Sequence, residues 1–249
     1  MSERIDLDGE LEVAMHAARE AGKALAARGE AFAGVASSKG RDIKLNADKA
    51  AEDIIFRILA AGAPRSILSE ETGWTAEADD YAWVVDPLDG SANYNNHIPL
   101  CCVSIALVQS GAPVLGVLYD FNNDQMYSGI VGRGAWLNGR SISVSETSDA
   151  SSAILMTGLA VNRDFSAEAL ARSAADFARW KKVRMIGSAA TSLSYVAAGK
   201  ADCYFEENIM FWDVAAGCAI VTAAGGRVNI SDGPLDAPKV VKVDNGKLE

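Results

Sequence analysis

WVVDPLDGS, at residues 83–91, joins an apolar run to a group of carboxylates and turn residues. The run at 83–85 is typical of a buried strand. Asp86 and Asp89 then flank a proline, which fixes φ and has no N–H to donate. The Leu88 carbonyl can therefore be turned toward the same side as both carboxylates. Three hard oxygen ligands that converge on one point suit Mg²⁺.

The last two residues of this stretch add a second kind of ligand. Gly90 and Ser91 offer backbone N–H groups where a helix could begin, and such an arrangement binds phosphate. Metal ligands beside phosphate donors point to metal-assisted phosphoryl chemistry. The same string is also good turn chemistry, because Asp, Pro and Gly all favour turns. The choice between these interpretations depends on the other acidic residues of the chain.

Length and composition are those of a globular protein. The chain has 249 residues, of which 49% are apolar and 22% charged, which suits one large domain or two tightly joined halves. The net charge of −10 argues against nucleic acid as a partner, because phosphate backbones need a basic face. It leaves room for a small phosphorylated metabolite, since bound divalent cations can invert the local field.

The sequence also predicts a cellular compartment. Residues 1–6 lack the apolar core of a signal peptide, and no apolar stretch approaches the length of a membrane span. The cysteines lack zinc-site spacing and are expected to be small buried residues in a reducing compartment: Cys101, Cys102, Cys203 and Cys218. We therefore expect a cytoplasmic enzyme without a membrane partner.

Helical periodicity in the first half gives way to strands. Apolar spacing predicts helices at 8–28 and 47–60, and composition predicts a loop at 36–42 between them. Asn138-Gly139 is a strong hairpin signal. The predicted strands are 82–85, 103–108, 114–119, 125–128, 135–137 and 141–144.

The second half alternates between strands and helices. The predicted strands are 153–157, 183–186, 201–205, 227–230 and 240–243, and the predicted helices are 166–181, 188–199 and 213–224. Lys181 and Lys182 are expected in the last turn of the first of these helices, where they would match the helix dipole. A polar segment at 145–152 suggests a seam between the halves 1–145 and 146–249. Helices on both sides of sheets indicate a layered α/β or α+β fold.

Three further acidic positions accompany the 83–91 stretch. Glu70 follows a short apolar run, Asp213 opens a predicted helix, and Asp48 stands at the start of another. Each has an ordinary explanation when taken alone. Aspartate is a good N-cap residue, and Glu70 could be a solvated loop charge. Their coincidence in one chain favours a shared site.

The whole pattern resembles the inositol monophosphatase family of Mg²⁺-dependent, lithium-sensitive phosphatases. The resemblance covers nearly the entire chain and rests on SEE at 69–71, WVVDPLDGSANY at 83–94, and WDVAAG at 212–217 leading to AGG at 224–226. It implies a layered α-β-α-β-α sandwich of the inositol monophosphatase and fructose-1,6-bisphosphatase type. It also implies a homodimer.

The resemblance further implies two or three Mg²⁺ ions in each subunit. Glu70, Asp86 and the Leu88 carbonyl would hold the first ion. Asp86 would bridge to a second ion, which Asp89 and Asp213 would also hold. A third, weaker ion would rest on Glu70 and waters.

The remaining catalytic roles follow from the same resemblance. Glu71 would support the metal ligands from behind, and the Gly90 and Ser91 N–H groups would bind the phosphate. Asp48 and the Ser91 hydroxyl would orient the attacking water, with Glu70 helping through the metal. The chain departs from the family here, because the usual threonines before Asp48 are missing and Ser91 replaces a threonine. Serine keeps the hydroxyl but loses the methyl that restricts its rotamer.

Substrate choice is expected to depend on the second half. Glu206 stands where inositol-type members place a carboxylate that accepts sugar hydroxyls, and Ser188 and Ala189 match a segment lining the same pocket. Asp89 and Asp213 would also face the substrate. These residues favour inositol monophosphate or a similar polyol or sugar phosphate.

Other readings remain open. The absence of a Tyr-Pro-Arg segment at 204–207 makes a 3′-phosphonucleotide a weaker alternative. Histidinol phosphate and fructose 1,6-bisphosphate are further candidates within the same superfamily. A protein of another class, which binds metal and phosphate without turnover, is disfavoured by the complete set of carboxylates.

Overall fold

The computed structural model describes residues 5–32, 34–39, 42–160 and 163–248. Residues 1–4 and residues 40–41 of the predicted loop lie outside this part. Within it there are six α-helices: α1 (Leu7–Ala27), α2 (Asn46–Gly62), α3 (Ser91–Asn95), α4 (Ala167–Phe177), α5 (Ala189–Ala197) and α6 (Phe211–Ala223).

The described residues also form fifteen strands. They are β1 (Val35–Lys39), β2 (Asp42–Leu45), β3 (Ile67–Ser69), β4 (Gly73–Trp74), β5 (Tyr81–Asp89), β6 (Cys102–Gln109), β7 (Ala112–Asp120), β8 (Gln125–Ile130), β9 (Gly134–Leu137), β10 (Arg140–Ile142), β11 (Ile154–Thr157), β12 (Lys182–Arg184), β13 (Cys203–Ile209), β14 (Arg227–Ile230) and β15 (Lys239–Asp244).

The larger sheet has eight strands in the order β10-β9-β8-β7-β6-β5-β3-β4. Only its β3–β5 pair is parallel among the described strands. β5 is buried on both faces, because Trp83 and Val85 pack with α1 and α2 whereas Ala82 and Val84 pack with α5 and α6. This confirms the buried strand predicted from the apolar run.

The smaller sheet has five strands in the order β12-β11-β13-β15-β14. β12, β11 and β13 are parallel, and β15 and β14 add antiparallel strands. Met156 and Tyr204 pack in the same core as α5 and α6. Thr157 and Phe205 alternate with them and face a cavity shared with α4. The sheet is therefore covered on both sides.

The layers follow the order α1 and α2, eight-stranded sheet, α5 and α6, five-stranded sheet, α4. The predicted α-β-α-β-α arrangement is confirmed. The central layer is thin because small residues let backbones approach closely. A Cβ on Gly116 of β7 would lie 2.2 Å from the carbonyl oxygen of Ala216 in α6.

Several local predictions are confirmed. Asn138 and Gly139 have φ values of 49° and 76°, as the hairpin signal predicts. α1 and α2 match the two predicted N-terminal helices, and Leu25, Ile55 and Leu59 are fully buried on their inner faces. All four cysteines are buried free thiols.

Three local predictions are wrong. The described residues of the segment 36–42, taken for a loop, belong to β1 and to the first position of β2, whose backbones pair in antiparallel fashion, since strand pairing can override a serine-rich composition. α4 ends at Phe177, so Lys181 and Lys182 lie beyond its last turn; Lys182 instead pairs with Ile154 in the smaller sheet. β13 continues to Ile209 and therefore includes Glu206.

The two sheets occupy separate parts of the sequence. The eight-stranded sheet is formed within residues 67–142 and the five-stranded sheet within residues 154–244. The proposed halves 1–145 and 146–249, as parts of one compact unit, stay a prediction. None of the described helices has the length and apolar character needed to cross a bilayer.

Candidate active site

The end of β5 is distorted where its acidic residues lie. The register between β5 and β6 shifts between Asp86 and Asp89, and the Leu88 N–H donates to Asp86 Oδ1 at 2.9 Å. Gly90 follows with φ of 90°. A Cβ there would lie 2.9 Å from the Leu100 carbonyl oxygen, so this tight exit from the strand requires glycine.

Three carboxylates from different elements meet beside this turn. Glu70 comes from the turn after β3, Asp86 from β5 and Asp213 from α6, and one ligand oxygen from each lies within 4.8 Å of the others. Burial raises the pKa of Asp86 and Asp213 well above the usual range, and the neighbouring charges of Glu70 and Asp89 raise it further. Buried carboxylates that repel one another in this way fit a divalent cation.

Asp213 and Asp48 occupy equivalent positions in their helices. Asp213 is the third residue of α6 and its Oδ2 accepts the Met210 N–H at 3.3 Å. Asp48 is the third residue of α2 and its Oδ2 accepts the Leu45 N–H at 2.5 Å. The N-cap interpretation of Asp213 is therefore wrong, because Met210 holds that position and Asp213 satisfies the orphan N–H from inside the helix.

Asp89 lies outside the group of three carboxylates. Its Oδ2 accepts the hydroxyl of Ser188 and, at 2.8 Å, the N–H of Ala190 at the start of α5. Burial raises the pKa of Asp89 to about 6, although the Ser188 hydrogen bond opposes the shift. Asn93 of α3 makes a second link between the end of β5 and the start of α5, since its Nδ2 donates to the Ile186 carbonyl at 2.7 Å. A metal-ligand role for Asp89 stays a prediction.

The proposed water-orienting pair is in contact. The Ser91 hydroxyl lies 3.0 Å from Asp48 Oδ1 and 3.0 Å from the Leu88 carbonyl oxygen. Both partners are acceptors, and a hydroxyl donates only one proton at a time. Asp48 is 1% exposed, so its carboxylate is shielded from bulk water. Ser91 can thus switch its proton between the two acceptors.

A cleft of about 460 Å³ is lined by two of the three clustered carboxylates, Glu70 and Asp213. Its lining includes the predicted residues Glu70, Asp89, Ser188, Ala189, Glu206 and Asp213. Glu206 is 6% exposed and accepts the Tyr204 hydroxyl at 2.8 Å. Burial raises the pKa of Glu206 to about 7, and the hydrogen bond from Tyr204 partly opposes this.

Sequence reasoning missed one wall of this cleft. Residues 157–160, together with Asn208 and Trp212, also line it. A Cβ on Gly158 would lie 2.5 Å from Glu206 Oε2, so the wall approaches that carboxylate closely. The end of the predicted strand at 153–157 could have indicated this wall, because ligand sites form outside the carboxyl ends of parallel strands.

Two further residues near these motifs in the sequence, His97 and Glu71, are not among the residues that line the cleft. His97 is exposed, with φ of 58°, in the segment after α3. Glu71 is next to Glu70 in the turn between β3 and β4. Its supporting role stays a prediction.

Comparison with known proteins supplies the family. A model described as the inositol monophosphatase family matches residues 6–247. The chain belongs to the inositol monophosphatase family. It is 37% identical over 244 residues to an inositol-1-monophosphatase of Mesorhizobium japonicum, covering 96% of this chain and 90% of the relative. It is 38% identical over 228 residues to the Nus factor SuhB of Salmonella typhimurium, covering 88% and 84%.

Solved structures of this family have the same fold. The structure of an inositol monophosphatase from Anabaena (Nostoc) sp. PCC 7120 aligns with a TM-score of 0.85 at 34% identity, covering 98% of this chain and 93% of that one. The family assignment makes this chain a phosphoric monoester hydrolase.

Proposed function

We propose that this protein hydrolyses a small phosphate monoester in a Mg²⁺-dependent reaction, with inositol monophosphate or a similar polyol or sugar phosphate as substrate. The observation that carries the proposal is the group formed by Glu70, Asp86 and Asp213, two of which, Glu70 and Asp213, line the cleft. Glu206 lines the same cleft and offers a buried acceptor for a hydroxyl. Candidate metal ligands and a hydroxyl acceptor thus line one cavity.

Mg²⁺ suits the donor set because all the donors are hard oxygens. Glu70, Asp86, Asp213, Asp89 and the Leu88 carbonyl are the residues that would hold two or three ions. Bound cations in such a site neutralise phosphate charge and lower the pKa of water. The raised pKa values of Asp86 and Asp213 support the proposal, because cations would relieve the repulsion that causes them.

The protein's own groups would orient the reactants. Gly90 and Ser91 lie where the chain leaves β5 and enters α3, and their N–H groups would bind phosphate oxygens. Asp48 would accept a proton from Ser91 or from the attacking water, which places that water's lone pair toward phosphorus. Such positioning and charge stabilisation supply most of the catalysis in phosphoryl transfer.

The cleft favours a polyol over a bisphosphate. The described residues that line it include no lysine or arginine, so a second phosphate would have no cationic partner within that lining. Glu206 is already paired with the Tyr204 hydroxyl, and further hydroxyl donors would satisfy its carboxylate. Histidinol phosphate, fructose 1,6-bisphosphate and a 3′-phosphonucleotide are the alternatives for the test. We also propose that the protein is a cytoplasmic homodimer and that it does not bind nucleic acid. The net charge of −10 supports the last of these points.

The test is phosphate release from a panel of substrates. Inositol 1-phosphate, fructose 1,6-bisphosphate, histidinol phosphate, adenosine 3′,5′-bisphosphate and glycerol 2-phosphate would each be incubated with Mg²⁺, with EDTA, and with Mg²⁺ plus lithium. We expect Mg²⁺-dependent release that is greatest for inositol 1-phosphate and is inhibited by lithium. Release that persists in EDTA would contradict the metal mechanism, and a maximum on another compound would replace the substrate assignment.

A further inference from the structure

Glu52 is a fully buried carboxylate that the catalytic scheme does not use. It lies on α2 with 0% exposure. Its Oε1 accepts the Thr72 N–H at 3.1 Å, and its Oε2 accepts the Thr72 hydroxyl at 2.7 Å. Lys49 Nζ, on a half-exposed side chain, also donates to Oε2. A buried charge with both oxygens engaged needs an explanation beyond helix packing.

These hydrogen bonds hold the turn that carries Glu70. Thr72 lies in the turn between β3 and β4, two residues after Glu70. At the other end of the turn, the Glu70 N–H donates to the Val85 carbonyl at 3.2 Å, next to Asp86. The turn is therefore fixed to β5 on one side and to α2 on the other. Glu70 is itself the first attachment, and Thr72, two residues later, is the second.

The same face of α2 contacts a second part of the site. Asp48 and Glu52 are four residues apart, so they lie one above the other on the helix. Asp48 contacts Ser91 in the turn after β5, whereas Glu52 contacts Thr72 in the turn after β3. One rigid helix thereby sets the spacing between the two turns.

We propose that Glu52 is a positioning residue that holds Glu70 at the metal site by clamping Thr72. The inference rests on the proposed metal site. Burial acts to raise the pKa of Glu52, but the hydrogen bonds and the charge of neighbouring side chains, Lys49 foremost, together outweigh burial, and the pKa of Glu52 is lowered. The carboxylate is thus an acceptor only, as the two bonds from Thr72 require. Its loss would loosen Glu70 and weaken metal binding more than it slows turnover at saturating metal.

The experiment measures Mg²⁺ binding separately from activity. The Mg²⁺ dissociation constant would be determined by calorimetry and by the Mg²⁺-induced rise in Tm for wild type, Glu52→Gln and Thr72→Val. We expect it to increase about tenfold in both variants, the size usual when a residue that supports a metal ligand is removed. At saturating Mg²⁺, kcat should stay within a few-fold of wild type.

Two further variants serve as controls. Thr72→Ser keeps the hydroxyl and should bind Mg²⁺ as wild type does. Asp53→Asn removes the other carboxylate that pairs with Lys49, at 3.4 Å, from an exposed position, and it should also bind normally. Thr72→Val leaves the buried Glu52–Lys49 pair in place, so it tests the proposal even if Glu52→Gln does not fold.

The outcomes separate this inference from the proposed function. An unchanged Mg²⁺ dissociation constant in Thr72→Val and in folded Glu52→Gln, with only a lower Tm, would overturn the positioning role and leave the phosphatase proposal intact. If Mg²⁺ does not stabilise the wild-type protein, the positioning role of Glu52 would also be overturned. Weakened Mg²⁺ binding in both variants, in a protein that releases no phosphate from any substrate, would support the inference while the proposed function fails.

Discussion

Helices α2 and α6 begin in the same way, with an aspartate as third residue that accepts a backbone N–H from the residue before the helix. Asp48 in α2 then meets the Ser91 hydroxyl. Asp213 in α6 meets Glu70 and Asp86. The local geometry is shared, but one carboxylate is offered a proton donor and the other faces like charges.

The difference shows that neighbours decide the chemistry of a buried aspartate. A hydroxyl partner makes Asp48 suited to orienting a proton. Burial and the neighbouring like charges both raise the pKa of Asp213, so this carboxylate is suited to binding a cation. The two helix starts should therefore respond differently to the same substitution of aspartate by asparagine.

The largest effect is expected from Asp213→Asn. Loss of a metal ligand removes several kcal/mol of charge stabilisation, so turnover should fall about a thousandfold. The Tm in EDTA should be unchanged or higher, because a repelled buried charge is gone. Differential scanning fluorimetry with and without Mg²⁺ would show the loss of metal-induced stabilisation. A variant that is still fully stabilised by Mg²⁺ would remove Asp213 from the metal site.

Asp48→Asn should lower turnover about a hundredfold, the range of a lost proton acceptor. Its Mg²⁺ dissociation constant should stay within a few-fold of wild type, because Asp48 lies outside the group of three carboxylates. Steady-state kinetics over a Mg²⁺ titration would measure both quantities. If the two asparagine variants lose Mg²⁺ binding equally, the functional contrast between the helices is wrong.

Glu206→Gln should change substrate preference about tenfold, as a lost charged hydrogen bond predicts. The ratio of kcat/KM for inositol 1-phosphate to that for glycerol 2-phosphate would measure it. Glu207→Gln is a matched control, since Glu207 is next in β13 and does not line the cleft. Equal ratios in the two variants would assign Glu206 a structural role only.

The smallest effect is a pH dependence of stability. The pKa values of Asp89 and Glu206 rise to about 6 and about 7 on folding. The folded state therefore holds more protons than the unfolded chain between about pH 4 and 7, so the free energy of unfolding in EDTA should fall as pH rises through this window.

Mg²⁺ should reverse this trend, because its ligands must be deprotonated. Thermal melts from pH 5 to pH 8, in EDTA and in Mg²⁺, would check both slopes. In EDTA the fall of Tm with rising pH should be shallower for Asp213→Asn than for wild type. A Tm in EDTA that rises with pH would contradict the raised pKa values.

Much of the fold could be predicted because its signals are local. The apolar run before Asp86 predicts a buried strand, and Asn138-Gly139 predicts a hairpin whose backbone needs two positive φ values. Prediction of secondary structure failed where the pairing of strands from different segments decides which structure forms. β1 and β2 form from a serine-rich segment, and α4 ends early because Lys182 enters the smaller sheet beside Ile154.

The sequence by itself determined most of the secondary-structure order, and its motifs pointed to the family and to the carboxylates of the candidate site, since spacing and composition are properties of neighbouring residues. Only the tertiary structure decided that Asp213 joins Glu70 and Asp86 while Asp89 contacts α5. The cleft wall at 157–160 was likewise decided by packing. Such contacts join residues far apart in the chain, so they depend on how the layers pack and not on any local pattern.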